Sequence, residues 1–188
     1  MKKFIVLAFL LTGYEMTAQQ VQNFTLINVM NNQTISLDTY PSCEGLVIIF
    51  TSNACPYDEQ YRARISKLTR DHQDKVPVLL VNSYIEPAES AENMKKKGDL
   101  LKLSVPYLAD KEQVLLQQLK ATKSPQAFLL KNNGGKFMVV YSGAIDDNAQ
   151  VEKDVRHAYL SDAIDIMLAN QTIATPEIRP VGCTIRKK

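Results

Sequence analysis

Apolar and polar positions along this chain change period several times, and each change marks an element. "NFTLINV" alternates with a period of two, the pattern of a half-buried strand; "MNNQ" interrupts it with turn residues and "TISL" resumes it, so an amino-terminal β-hairpin is expected. "GLVIIFT" is apolar without alternation, as in a central strand covered on both faces. From Pro56 the period becomes helical, with Tyr57, Tyr61, Ile65 and Leu68 recurring three or four apart. Proline suits the first helical position, where its missing N–H costs nothing. "VPVLLVNS" reads as a second buried strand, giving a strand–helix–strand unit with parallel pairing. "EPAESAENMKKKGDL" is charged and reads as a surface helix or insertion ending near Gly98. "VPYLAD" and "KEQVLLQQLKA" follow as a short extended piece and a helix, and "QAFLLK" and "KFMVVYSG" are separated only by "NNGG", which requires antiparallel pairing. "VRHAYLSDAIDIMLAN" closes the domain with helical spacing, and residues 171–188 form a tail with two prolines and no clear period. A parallel half followed by an antiparallel half predicts an α/β sandwich: a mixed central sheet with helices on both faces.

The first stretch stands outside this scheme. "MKKFIVLAFLLTGYEMTAQQ" has two lysines, an apolar run from Phe4 to Leu11 and small polar residues at Thr17 and Ala18. That is the layout of a secretory signal peptide over residues 1–18, with an apolar run too short to span a bilayer. Met16 fits the cleavage site poorly, and a free amino-terminal helix is the alternative. The mature chain would be one domain, residues 19–188, in the periplasm or outside the cell, with no integral membrane segment. Losing Lys2, Lys3 and Glu15 takes the net charge from +2 to +1. A nearly neutral chain gives no electrostatic ground for binding nucleic acid or an anionic membrane. With only His72 and His157 and no clustered Cys/His spacing, neither a metal site nor a cofactor is expected. Cys43, Cys55 and Cys183 would meet an oxidising compartment, and an odd count leaves at least one thiol unpaired within the monomer.

Cys55 carries the candidate chemistry. It stands at the carboxyl end of a central strand and the amino terminus of a helix, where unpaired N–H groups and the helix dipole favour a thiolate. Asp58 and Glu59 in the same first turn act in the opposite direction. The bland alternative is a small buried apolar residue. Ser52, three residues earlier, cannot form a disulfide but can donate a hydrogen bond to a thiolate or a peroxide oxygen. Ser124-Pro125, just before a strand, is a candidate cis peptide bond.

Together these stretches resemble the thioredoxin-like superfamily, in the redoxin group related to alkyl hydroperoxide reductases. A motif of the form Cys-Asn-x-Cys-Pro-Tyr stands here as Ser52-Asn53-Ala54-Cys55-Pro56-Tyr57. Ser124-Pro125, "SGAIDDNAQV" and the ending "PEIRPVGCTI" are similar to the same family over nearly the whole mature chain. The resemblance implies a cis Pro125 beside the redox cysteine and a substrate groove formed with Pro56, Tyr57 and Ser124. Ser52 replaces the usual attacking cysteine, so two-cysteine chemistry at Ser52–Cys55 is chemically impossible. What survives resembles the peroxiredoxin pattern Thr/Ser-x-x-Cys-Pro. Ile48 stands where that pattern has a proline, however, and Arg62 and Arg64 are merely on the following helix.

Two partners for Cys183 stay open. The strand from Gly45 to Phe50 separates Cys43 from Cys55 by roughly 20 Å, beyond the roughly 7 Å a disulfide tolerates. In the resembled fold the last helix ends far from Cys55, and the tail from Gln171 can stretch roughly 40 Å. Cys183 can therefore return to Cys55 as a resolving cysteine, or stay at the far end and bond Cys43 as a staple; the staple is preferred. The expected function is an exported thiol oxidoreductase with Cys55 as nucleophile, Ser52 steadying the sulfur and Pro125 shaping the groove. Its partners would be a thiol- or disulfide-bearing polypeptide, or a small peroxide or thiol. The alternative is a binding module that kept the redox fold and lost its catalysis.

Overall fold

A computed structural model describes residues 19–72 and 74–188; the expected leader, residues 1–18, lies outside the described residues. One mixed sheet runs in the order β1 (Gln20–Val21), β9 (Lys136–Gly143), β8 (Gln126–Asn133), β4 (Gly45–Phe50), β5 (Val78–Asn82), β6 (Tyr107–Ala109), β2 (Leu26–Asn28) and β3 (Thr34–Ile35), with β10 (Glu177–Ile178) also on β9. A separate two-stranded piece joins β7 (Lys123–Ser124) to β11 (Cys183–Thr184). The helices are α1 (Pro56–His72), α2 (Ala91–Leu101), α3 (Val114–Leu119) and α4 (Tyr159–Leu168). β4, β5 and β6 are parallel, whereas β8 is antiparallel to β4 and β9 is antiparallel to β8. The hairpin β2–β3 extends the sheet through β6.

The unbroken apolar run of β4 is explained by its two covered faces. Leu46, Ile48 and Phe50 enter one core cluster with α3, while Val47 and Ile49 enter the other with α1, α2 and α4. Successive strand residues point to opposite faces, so a strand buried on both sides has no polar position to spare. The mixed α/β architecture with helices on both faces is thus the one the pattern predicts.

Two local readings are corrected. α2 does not stop at Gly98 but runs to Leu101. Met94 and Gly98, four apart and both buried, form its inward stripe, and a Cβ on Gly98 would stand 2.4 Å from Met30 Sδ. Close packing, not helix termination, is what this glycine serves. The tail is also less irregular than its sequence. It starts at the far end of the sheet, where Lys131 donates to Asn170 Oδ1 at 3.0 Å, and climbs along β9 with Glu177 opposite Ser142. β11 then lies antiparallel to β7, with Cys183 opposite Ser124, at the carboxyl end of β4.

Candidate active site

β4 ends on the fully buried Phe50; the loop Thr51–Ala54 turns the chain, and Cys55 immediately precedes α1. Cys55 is bonded to Cys183, with Sγ–Sγ 2.01 Å and Cα–Cα 6.0 Å, while Cys43 is free. The preferred Cys43–Cys183 staple is therefore overturned. Length allowed the tail either end of the sheet; backbone partners chose one. Besides pairing with β9 and β7, the tail buries Ile185 to 4 % exposure in the core, and Gln113 Nε2 donates to Arg186 O at 2.7 Å. Cys43 lies at the opposite end, its carbonyl accepting from Asn132 Nδ2 at 2.9 Å and its thiol pushed up in pKa by burial.

The Ser124–Pro125 peptide bond is cis, and both residues are buried. Ser124 O lies 3.2 Å from Cys55 Sγ, so a reduced Cys55 thiol has an acceptor waiting. Ser124 also reaches the neighbouring carboxylate: its Oγ donates to Asp58 Oδ2 at 2.5 Å, and Thr51 Oγ1 donates to Asp58 Oδ1 at 2.7 Å. Burial pushes the Asp58 carboxyl up to about 7; the two hydroxyl bonds oppose that rise and the charge of Glu89 adds to it. Asp58 and the sulfur thus meet on either side of Ser124.

Ser52 behaves otherwise than expected. Its hydroxyl donates to Glu89 Oε1 at 2.7 Å and accepts from the N–H groups of Ala54 and Cys55 at 3.0 and 3.2 Å. The N–H groups of Asn53 and Ala54 also donate to Glu89, at 2.8 and 3.1 Å. Two amides of the loop ahead of Cys55 are therefore taken by a buried carboxylate and the Cys55 N–H by the Ser52 hydroxyl, and the bonds to the carboxylate, being charge-assisted, are the stronger ones. Neither Arg62 nor Arg64 reaches the sulfur. Arg64 pairs with Asp146 at 2.6 Å and lies 3.9 Å over the Tyr61 ring, which clamps the "SGAIDDNAQV" loop to α1; Arg62 pairs with Glu59.

Of the residues assigned to a groove, Pro56 is exposed and Tyr57 partly so, whereas Ser124 and Pro125 lie beneath the tail. Gly182 makes that fit possible: a Cβ there would stand 2.2 Å from Ser124 O. Backbone meeting backbone cannot yield. Gly182→Ala is expected to leave the Cys55–Cys183 bond about tenfold more easily reduced by a dithiol, measured as thiol release, because strained bridges are the labile ones. Beside Cys55 lies a cavity of about 100 Å³, lined by Thr51, Ser52, Asp58, Arg62, Lys97 and Tyr107 among others and by no residue of the tail.

Solved structures similar to this chain in fold include a hypothetical protein from Sinorhizobium meliloti, 25 % identical, covering 92 % of this chain and 95 % of its own, with a TM-score of 0.80. An uncharacterized conserved protein from Geobacillus kaustophilus is 25 % identical over 91 % of this chain and 92 % of its own, at a TM-score of 0.79. A thiol-disulfide oxidoreductase from Bacteroides fragilis shares the fold at a TM-score of 0.55 and 15 % identity, covering 66 % of this chain and 89 % of its own. No curated protein matches the sequence. The AhpC/TSA family model matches residues 17–146, a span that carries β4, the Cys55 loop, α1, β5 and the cis proline. The chain belongs to the AhpC/TSA family, within the thioredoxin-like superfamily.

Proposed function

We propose that this protein is a thiol oxidoreductase in which Cys55 is the nucleophile and Cys183 the resolving cysteine. The observation that carries this reading is the Cys55–Cys183 bond itself: the tail brings to Cys55 the partner that Ser52 cannot be. In the reduced protein Asp58, poised by burial near neutral pH, takes the thiol proton. The Cys55 thiolate attacks one sulfur of a substrate disulfide, forming a mixed disulfide and releasing the other substrate thiolate, which regains a proton. Cys183, as thiolate, then attacks Cys55 Sγ, closing the internal bond and expelling the second substrate thiol. Two electrons pass from the protein dithiol to the substrate, and an external dithiol returns them.

Disulfide exchange is preferred over peroxide reduction because Arg62 and Arg64, the arginines nearest to Cys55 along α1, are paired with carboxylates and neither touches the sulfur. The cavity beside Cys55 supports the second reading: a small hydroperoxide entering it would oxidise Cys55 to a sulfenic acid with release of an alcohol, and Cys183 would then expel water. The lysine-flanked apolar leader supports action outside the cytoplasm, where such a bond persists, and among the described residues no helix is long and apolar enough to cross a membrane.

Turnover by the reduced protein separates these readings. Given a disulfide-bonded polypeptide and excess dithiol, the wild type is expected to speed substrate reduction and Cys55→Ser to abolish the effect. Consumption of hydroperoxide without disulfide turnover would select the second reading. Inertness towards both would leave a binding module.

A further inference from the structure

The chemistry above leaves one buried carboxylate at the site unused. Glu89 ends the short turn Pro87–Glu89 between β5 and α2 and is 3 % exposed. Its Oε1 accepts from Ser52 Oγ and Ala54 N, and its Oε2 accepts from Asn53 N at 2.8 Å and Asn82 Nδ2 at 2.7 Å. All four donors are neutral, and among the ion pairs of the described residues none includes Glu89. The nearest cation in this network is one residue removed: Lys111 Nζ donates to Asn82 Oδ1 at 2.8 Å. A carboxylate held this way has its hydrogen bonds satisfied while its charge stays uncancelled by direct contact.

We propose that Glu89 is a positioning residue that sets the acid strength of the Cys55 thiol, by filling the amide cradle ahead of α1 with a fixed negative charge. The inference rests on Cys55 being the nucleophile. An open cradle would favour the thiolate; an occupied one denies it those N–H groups and opposes a second charge nearby. Cys55 is then a weak acid that depends on Asp58 for its deprotonation. The other titratable and charged groups around the loop and its cavity are Asp58, Glu59 and Arg62 on α1, Tyr84 and Glu86 after β5, Lys97 on α2, Tyr107 on β6, Asp110 and Lys111 after it, and Lys123 on β7. The same charge reaches several of them: Glu89 helps to raise Asp58 and Tyr107, and it opposes the burial that brings Lys111 down to about 8.

The test is the pH profile of Cys55 alkylation in the reduced full chain carrying Cys43→Ser and Cys183→Ser, so that one thiol remains. Glu89→Gln keeps the length and removes the charge; it is expected to make the thiol about tenfold more acidic. Glu89→Asp keeps the charge and is expected to leave the profile near that of the parent. In Glu89→Ala, which opens a space lined by four donors, added formate is expected to move the profile back up. A parent profile below the free-cysteine value of about 8.5 overturns the proposal. So does an equal shift in the Gln and Asp variants, or an Ala profile insensitive to formate. The parent profile needs no Glu89 variant to fold. A protein that turns over disulfides while Glu89 leaves the profile unmoved loses this inference alone; one whose profile follows Glu89 but that never turns over loses the proposed function instead.

Discussion

Asp58→Asn is expected to make the protein more stable and much less active. The Asp58 carboxyl sits at about 7 in the fold against 3.8 in its ordinary setting, because burial penalises its charge. A carboxyl raised in this way binds its proton more tightly in the native state than in the unfolded chain. Wild-type stability therefore falls as pH rises from about 4 to about 7, and is flat above. The full penalty at pH 8 is up to about 4 kcal/mol, and screening by solvent at this partly exposed residue reduces it. Asparagine fills the same space, still accepts from Thr51, and lets the Ser124 hydroxyl turn to accept in its place. Thermal unfolding at pH 8 is expected to show the gain, and at pH 4 to show almost none. The same substitution removes the proton acceptor for Cys55. Its reaction with a chromogenic disulfide is expected to slow by about 100-fold at pH 7 and to lose the rise through pH 7 that the wild type shows. A variant that keeps the wild-type rate and profile would remove Asp58 from the chemistry.

Cys183→Ser is expected to have two separable effects. The first is on stability: the Cys55–Cys183 bond spans a sequence separation of 128, and closing so long a loop contributes about 5 kcal/mol in the chain-entropy model. Oxidised wild type should exceed both reduced wild type and oxidised Cys183→Ser by a loss of that order in chemical denaturation. The second is on chemistry: without the resolving thiol Cys55 stalls as a mixed disulfide, visible by mass, and steady-state turnover falls by at least about 100-fold because an intramolecular step has become bimolecular. Cys43→Ser, at the far end of the sheet, is expected to change neither.

The central strands and α1 were legible because burial on two faces and on one face leave different periods, and Leu46 to Phe50 and Tyr61 to Leu68 follow them. Cys55 was legible for a similar reason, since a strand followed by Cys-Pro has little choice but to place the sulfur at a helix head. The rest of the site was settled by contacts far apart in sequence. Glu89 lies in "EPAESAE", which reads as a solvated charge run; it turns inward because Ser90 caps α2 just behind it and the loop amides at Asn53 and Ala54 need an acceptor. The only local hint was that a loop with so many free N–H groups requires a partner. Asp58 could be read as a charge beside the thiol, but its enclosure depends on Ser124, which the fold brings in from another strand. Nor could the destination of Cys183 be read, because a tail long enough for two ends of a sheet is directed by the strand edges it finds.

The most direct measurement is a disulfide map of the protein after reduction and re-oxidation with a limiting oxidant, with the remaining thiol tagged before digestion. The expected result is a peptide pair joined through Cys55 and Cys183, with the tag on Cys43. A bond through Cys43, or a tag on Cys55 in oxidised protein, would contradict it.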